Sequence, residues 1–509
     1  MKQFKLLTTA LAASITAIPA DAAPTPKKKP DKTPNILLIV GDDLNCSTTP
    51  MWGYKVPDLM PNLAGLAAEG MLFRRAHVVS AASQVSRGGI MTGLYPYTSG
   101  IDGFYHTDKD IPTLPDMLQA NNYMIGIVGK VEHSTPTNNV RWDSRGDGDI
   151  NNGRDPKLYY ERVKKFIAEA HAAGKPFFYM ANSQDPHRPF AGSRDEARRF
   201  PLRSFPDPSR TYTPDEVIVP GFVPDLPAVR QELAEYCGSV HRLDEMVGEV
   251  LRALREAGEE QNTIVLFISD NGMSMPFSKT NCYLQSTHTP LVVRYPGVTK
   301  AGSEDDRHFV NGIDFMPTFL EAAGIAAPAS MQGRSFLSLL GGAKQSGREY
   351  VYTEFTENSG RNREPMRAVQ NDRFGYIYNA WSDGVRTFAS ETKSGLTWPA
   401  MVKAGETDPF IAARVKLFDY RVAEEFYDYE KDPDALHNLI DDPAYAAQIN
   451  TFRDLLDKHM VATDDPVLEA FRNRHDAQAV KAYMLSQDKI VADRQGGKGK
   501  KKQAKQADE

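Results

Sequence analysis

The chain has 509 residues, a formal charge of −6, 41% hydrophobic residues and 25% charged residues. That length suits one large α/β domain plus a smaller one, and the composition is ordinary for a globular protein. The mild acidity excludes a broad nucleic-acid surface, so any anionic substrate must meet a local cluster of basic residues.

Residues 1–22, MKQFKLLTTALAASITAIPADA, run from a basic start through an apolar stretch to Ala20-Asp21-Ala22. This pattern is expected for a cleaved signal peptide, which makes the mature chain an exported one, periplasmic or secreted. Residues 23–34, APTPKKKPDKTP, are expected to form a Pro/Lys linker. No later segment is apolar enough to span a membrane. The three cysteines, Cys46, Cys237 and Cys282, are far apart and odd in number, so a disulfide scaffold is excluded.

Strands and helices then alternate. Residues 35–40 form a continuous apolar run, as in a strand buried on both faces, and Asp42 and Asp43 follow it. Residues 60–69 have helical spacing. The stretch SAASQVSRGGIMTGLYP (80–96) puts Ser83 and Arg87 at a strand-to-helix corner. A strand at 123–128 leads to Lys130 and His133. A helix at 160–173 is ended by Gly174-Lys175-Pro176. The strand at 177–182 leads to Asp185 and His187. A long amphipathic helix spans 229–257, and the strand at 263–269 leads to Asp270 and Asn271. Residues 291–295 form a further strand. After about residue 345 come short strands at 366–369, 374–378 and 424–429 and a helix at 443–460.

This order predicts an α/β fold, a large mixed, mostly parallel sheet sandwiched by helices. A smaller C-terminal α+β domain with a short antiparallel sheet is expected beside it. The expected boundaries are 35–344, 345–490 and a basic, solvated, disordered tail at 491–509.

The polar groups converge on one sheet edge, where ligands bind in open α/β sheets. Asp42, Asp43, Asp270 and Asn271 offer only oxygen donors, which favour Ca²⁺, or Mg²⁺, over zinc. Arg87, Lys130, His133, His187 and Lys279 are the basic set that would bind an oxyanion and move protons. Ser83 is the hydroxyl placed to attack.

These passages identify a resemblance. NILLIVGDD (35–43), SQVSR with TGLYP, GKVEH, DPHRP, SDNG and EFYDYEKDPDALHNL together resemble the sulfatase family of the alkaline-phosphatase superfamily. TPDEVIVPGFVPDLP, DNGMSMPFSKTNCY and PMRAV are most similar to its heparan N-sulfatase (sulfamidase) branch. GKVEH instead has its histidine three after the lysine, as in the iduronate 2-sulfatase branch, where the sulfamidase spacing is two.

The resemblance implies an alkaline-phosphatase-like fold and a sulfated saccharide as substrate partner. It implies metal binding by Asp42, Asp43, Asp270 and Asn271, with Ser83 at the metal. Ser83 would be oxidised by a maturation enzyme to formylglycine, whose hydrated diol attacks sulfur. Arg87 and Lys130 would hold the diol, and His133 would help eliminate sulfate. His187 and Lys279 would contact the transferring sulfate. Arg367, in the C-terminal domain, is a candidate for a sugar carboxylate or sulfate. Val85 stands where the maturation pattern has Pro or Ala, so both formylglycine and plain serine stay open at position 83. A phosphatase- or phosphodiesterase-like hydrolase using unmodified Ser83, and a silent binder of sulfated glycans, are the alternatives.

Overall fold

The structure, a computed structural model, describes residues 33–147 and 150–507, with the backbone alone for 495–507. The expected signal peptide, and the linker as far as residue 32, lie outside the described residues.

In chain order the first strands are β1 (Asn35–Gly41), β2 (Met71–Phe73), β3 (Ala76–His77), β4 (Met124–Val128) and β5 (Ser144–Gly146). They are followed by β6 (Phe177–Asn182), β7 (Thr263–Ser269), β8 (Leu291–Arg294), β9 (Ser303–Asp305) and β10 (Val310–Asn311). Eight of them form one sheet in the order β5-β4-β6-β1-β7-β8-β2-β9, while β3 pairs with β10 alone. Only β8 runs against its neighbours; the other pairings are parallel. The expected mixed, mostly parallel sheet is therefore present.

β1 shows why the sheet is apolar on both faces. Ile36, Leu38 and Val40 enter one core with Phe178, Met180, Ile264 and Leu266. Leu37 and Ile39 enter the opposite core with Tyr179, Val265 and Phe267. Helices Pro156–Ala173 and Pro227–Glu256 supply the second core, and helix Phe315–Ala322 the first. Each such fully buried side chain contributes about 1.5–3 kcal/mol by leaving water. No helix among the described residues is long and apolar enough to cross a membrane.

The C-terminal sheet is antiparallel, in the order β11 (Val351–Glu357), β12 (Arg363–Gln370), β13 (Phe374–Asn379), β14 (Glu424–Asp428). Its outer face is covered by helix Ala446–Thr463, through Ile449, Phe452, Leu456 and Met460. β11 has no counterpart in the sequence expectations. Helix Pro156–Ala173 starts earlier than expected because Asp155 accepts from the Lys157 amide at 3.1 Å and Pro156 sits at the first position. The last helix runs Ala477–Ala507. Arg386 meets Asp488 at 2.7 Å and Arg494 meets Glu357 at 3.0 Å, which ties this helix to the C-terminal sheet region as far as residue 494. All three cysteines are free and buried.

Candidate active site

The ends of β1, β4, β6 and β7 form one polar edge. After β1 the chain turns at Asp42 and Asp43, the latter in the left-handed region (φ 74°). The Asp42 amide donates to the Asp185 carbonyl at 3.1 Å, and the Asp43 amide to Asp270 Oδ1 at 3.1 Å. These bonds lock the loops of three strands together. Asn271 Nδ2 donates to Asp43 Oδ1 at 2.7 Å. Gly129 and Lys130 are both left-handed (φ 69° and 48°), and that tight turn sets Lys130 Nζ 2.5 Å from Asp42 Oδ2. A Cβ on Gly129 would lie 2.1 Å from the Asn182 carbonyl oxygen, so only glycine fits.

Ser83 opens the helix Ser83–Thr92, every residue of which is buried. Its Oγ is 3.2 Å from Asp42 Oδ1 and 3.4 Å from Asn271 Oδ1. One turn on, Arg87 pairs with Asp270, lies 3.9 Å from Asp42 Oδ1, and donates from Nε to Asn182 Oδ1 at 3.3 Å. Val85 is buried in the core beneath this helix.

Lys279 Nζ lies 2.9 Å from Asp43 Oδ1 and 2.6 Å from Glu391 Oε1. Glu391 comes from a short turn in the C-terminal region, which Ser390 also fixes by bonding Thr280 at 2.7 Å. His187 Nδ1 is 2.6 Å from the Arg188 carbonyl, so Nδ1 carries the proton and donates, leaving Nε2 bare. His133 packs edge-on against Phe104 at 5.4 Å, and its Nδ1 is buried without a partner.

Charge density shapes this edge. Burial alone would raise the Asp42 carboxyl, but Lys130, His187 and Arg87 outweigh it and hold it well below the usual range. Burial pushes Asp43 up to about 7 against Lys279, with Asp42 and Asp270 adding to the rise. Burial likewise lifts Asp270 to about 6 despite Arg87. Burial, with Lys130 and Arg87 nearby, lowers His133 to about 3. Burial, with Lys279 and Lys130, lowers His187 to about 3. Lys279 is the reverse case: Asp43 and Glu391 outweigh its burial and raise it.

A divalent cation fits these residues. Oxygens of Asp42, Asp43 and Asp270 lie within 4.8 Å of one another, all buried. Three cations (Arg87, Lys130, Lys279) face four carboxylates (Asp42, Asp43, Asp270, Glu391), which leaves excess negative charge for a cation to neutralise.

The structure thus brings Asp42, Asp43, Ser83, Arg87, Lys130, Asp270, Asn271 and Lys279 into direct contact, with His133 and His187 beside them. It does not bring Arg367 in. Arg367 is 3% exposed and grips Asp465 through Nε at 2.6 Å and Nη2 at 3.0 Å, so its fork is filled and the expected sugar contact is corrected. Asp185 is likewise a support, held by Arg154 and by Arg242 Nε at 2.7 Å. Sequence reasoning missed Asn182 and Glu391. Asn182 ends β6 and could have been found by the strand-end rule. Glu391 lies over a hundred residues from Lys279 and had no local signal.

Comparison with known proteins follows the same residues. Positions 34–325 match the family described as "Sulfatase", and 272–384 match "N-sulphoglucosamine sulphohydrolase, C-terminal". The N-sulphoglucosamine sulphohydrolase of Homo sapiens is 29% identical over 463 residues, covering 85% of this chain and 91% of that protein. A structure solved with its substrate D-glucosamine-2-N,6-O-disulfate superposes with TM-score 0.63 at 19% identity, covering 86% of this chain and 99% of that one. The phosphonate monoester hydrolase of Agrobacterium radiobacter has TM-score 0.62 at 18% identity, covering 84% and 96%.

Proposed function

The chain belongs to the sulfatase family, and on that premise we propose that it is an exported hydrolase removing sulfate from a sulfated amino sugar, as sulfamate or as O-sulfate ester. The family's reaction, hydrolysis of a sulfate ester or sulfamate, sets the chemical class. The amino sugar is supported by the likeness to human N-sulphoglucosamine sulphohydrolase, including a match to that enzyme's C-terminal region. Export is supported by the first 22 residues, whose pattern is that of a leader removed on secretion.

One observation carries the reading: the Ser83 hydroxyl lies 3.2 Å from a three-carboxylate cluster surrounded by the buried Arg87 and Lys279 and the half-buried Lys130. Asp42, Asp43, Asp270 and Asn271 would hold the divalent cation, and their all-oxygen donor set favours Ca²⁺ or Mg²⁺. A cation bound there would supply Lewis acidity and ease deprotonation of a neighbouring hydroxyl. The remaining chemistry belongs to the chain. Arg87 and Lys130 stand on either side of Asp42 and stabilise negative oxygens on the sulfate. Lys279 stays charged and binds the sulfate electrostatically. The leaving nitrogen or oxygen needs a proton, and His187 has the bare ring nitrogen to carry it. The negative charge of the arriving sulfate favours the protonated form of that ring. His133, half-buried, is held neutral by desolvation and by the nearby Lys130 charge.

Position 83 acts either as serine or as formylglycine. Oxidation would supply a geminal diol whose second hydroxyl allows sulfate to leave by C–O cleavage. Val85 favours keeping a second reading, a phosphate or phosphonate monoesterase using serine directly. Against it, the described residues hold a single acidic cluster, whereas a two-zinc phosphatase needs further His and Asp ligands.

The test is sulfate release. Purified protein is expected to release sulfate from N-sulfoglucosamine or glucosamine 6-O-sulfate, and Asp270→Ala to lower the rate at least a hundredfold, on the order of losing a key charge-stabilising group. Hydrolysis of phosphonate monoesters with no sulfate release from either sugar would reject the proposal. The mass of the peptide carrying residue 83 separates the two chemical forms.

A further inference from the structure

On the Lys130 side of the site a cavity of about 370 Å³ opens between the turn at Lys130, the loop of His187 and the end of helix Arg194–Arg199. That volume suits a small-molecule site. Its lining includes Lys130 and Asn182 from the active site, Arg154 from the 150–154 turn, and Arg199 with Phe200 at the mouth. The cations of this lining are not equivalent. Lys130 is taken by Asp42, Arg154 by Asp185 and Arg188 by Glu232. Arg199 is exposed and has no hydrogen-bond or ion-pair partner among the described residues. Arg154 is 2% exposed, yet its Nε has no acceptor. The cavity mouth therefore presents one unpaired guanidinium, that of Arg199, beside the site proposed to hold the sulfate.

We infer that this cavity is the subsite for a second anionic group on the saccharide, with Arg199 as the residue that selects for it. The inference rests on the sulfatase reading of the adjoining site. The scissile sulfate lies against Ser83. The sugar ring then extends past Lys130 and His187, and a further sulfate or a neighbouring uronate carboxylate reaches the guanidinium. Arg199 suits this task because its planar fork binds sulfate and carboxylate alike. Phe200 adds an apolar wall for the sugar. Asp147, the carboxylate of the lining, is an acceptor for sugar hydroxyls.

The test compares three substrates: N-sulfoglucosamine, its N,6-O-disulfated form, and an N-sulfoglucosamine–uronate disaccharide. Arg199→Ala is expected to lower kcat/KM roughly tenfold on the substrates with a second anion, through KM, and less than twofold on the singly sulfated sugar. Arg199→Lys should recover part of the loss, and added salt should shrink the wild-type preference. Loss on the disulfated sugar alone assigns the partner as a sulfate on the same ring; loss on the disaccharide alone assigns it as the uronate. Equal losses on all three substrates, or none, overturn the subsite while leaving sulfatase activity standing. Absence of sulfate release by the wild type from every substrate overturns the sulfatase reading and the subsite with it. Arg199 is exposed on a short helix, so a matched thermal melt of the variants is expected.

Discussion

At the scale of single residues, burial decides which charges are at work. Glu354 on β11 is 2% exposed, and neither carboxylate oxygen has a hydrogen-bond partner. Arg367 Nε is 3.8 Å from Oε2 but is committed to Asp465. Burial raises Glu354 to about 8, with Arg367 opposing and Asp465 and Asp102 adding. Its usual value is 4.5. Between those values the folded chain holds a proton that the unfolded chain has lost, so the stability from this group is full below 4.5 and is lost as pH rises through 8. The slope approaches about 1.4 kcal/mol per pH unit at most. Glu354→Gln should flatten the fall in unfolding free energy between pH 5 and pH 8, measured by denaturant titration; an unchanged slope would show that the carboxyl is not protonated there. The same scale explains what the sequence could disclose. Asp42, Asp43, Asp270 and Asn271 were legible because each follows an unmistakable apolar strand. Arg367 was misread because a buried Arg and a substrate-facing Arg look alike in sequence, and its partner Asp465 lies 98 residues away.

At the scale of elements, long buried strands were legible and short edge strands were not. β6 and β7 fall on the expected bounds because each has five apolar residues in a row between polar flanks. β2, β5 and β9 have three residues each and exist only because neighbours pair with them. β11 was missed because VYTEFTE buries Thr353, Glu354, Thr356 and Glu357, polar residues that do not read as a strand core, and of these Glu357 is met by Arg363 at 3.0 Å. The turn after β4 shows how an element can set the chemistry. Gly129→Ala would force a Cβ against the Asn182 carbonyl in a left-handed residue. The backbone conformation alone costs about 1–2 kcal/mol, and the clash adds to it. The expected result is a melting temperature several degrees lower and weaker sulfate release, since Lys130 moves with the turn. A variant with wild-type melting and activity would contradict this geometry.

At the scale of the whole molecule, the sheet edge concentrates charge that the fold must hold against repulsion. A cation that binds the folded chain but not the unfolded one stabilises it by about 2.7 kcal/mol at a hundredfold excess over Kd. Chelation should therefore lower both melting temperature and activity, and Ca²⁺ or Mg²⁺ should restore both. Restoration by zinc alone would overturn the oxygen-donor argument. The parallel sheet and its ligand edge were legible because alternation of strands and helices admits few other architectures. What the sequence could not convey is how the C-terminal sheet closes onto that edge.

That closure has a consequence for modularity. Lys279 is shared between Asp43, on the catalytic sheet, and Glu391, on the far side of the expected boundary at residue 344. Arg421 reaches back to Asn281 and, at 2.9 Å, to the Tyr283 hydroxyl, while Gln370 donates to the Cys282 carbonyl at 3.2 Å. The segment 279–283 is therefore a splice held from both sides. A chimera that joins residues 35–344 to a foreign C-terminal half keeps the Lys279 pair only where that half supplies a carboxylate in the place of Glu391. Exchange between such enzymes would have to carry both ends of this splice together, so the smaller sheet is built into the reaction centre and is not an interchangeable accessory.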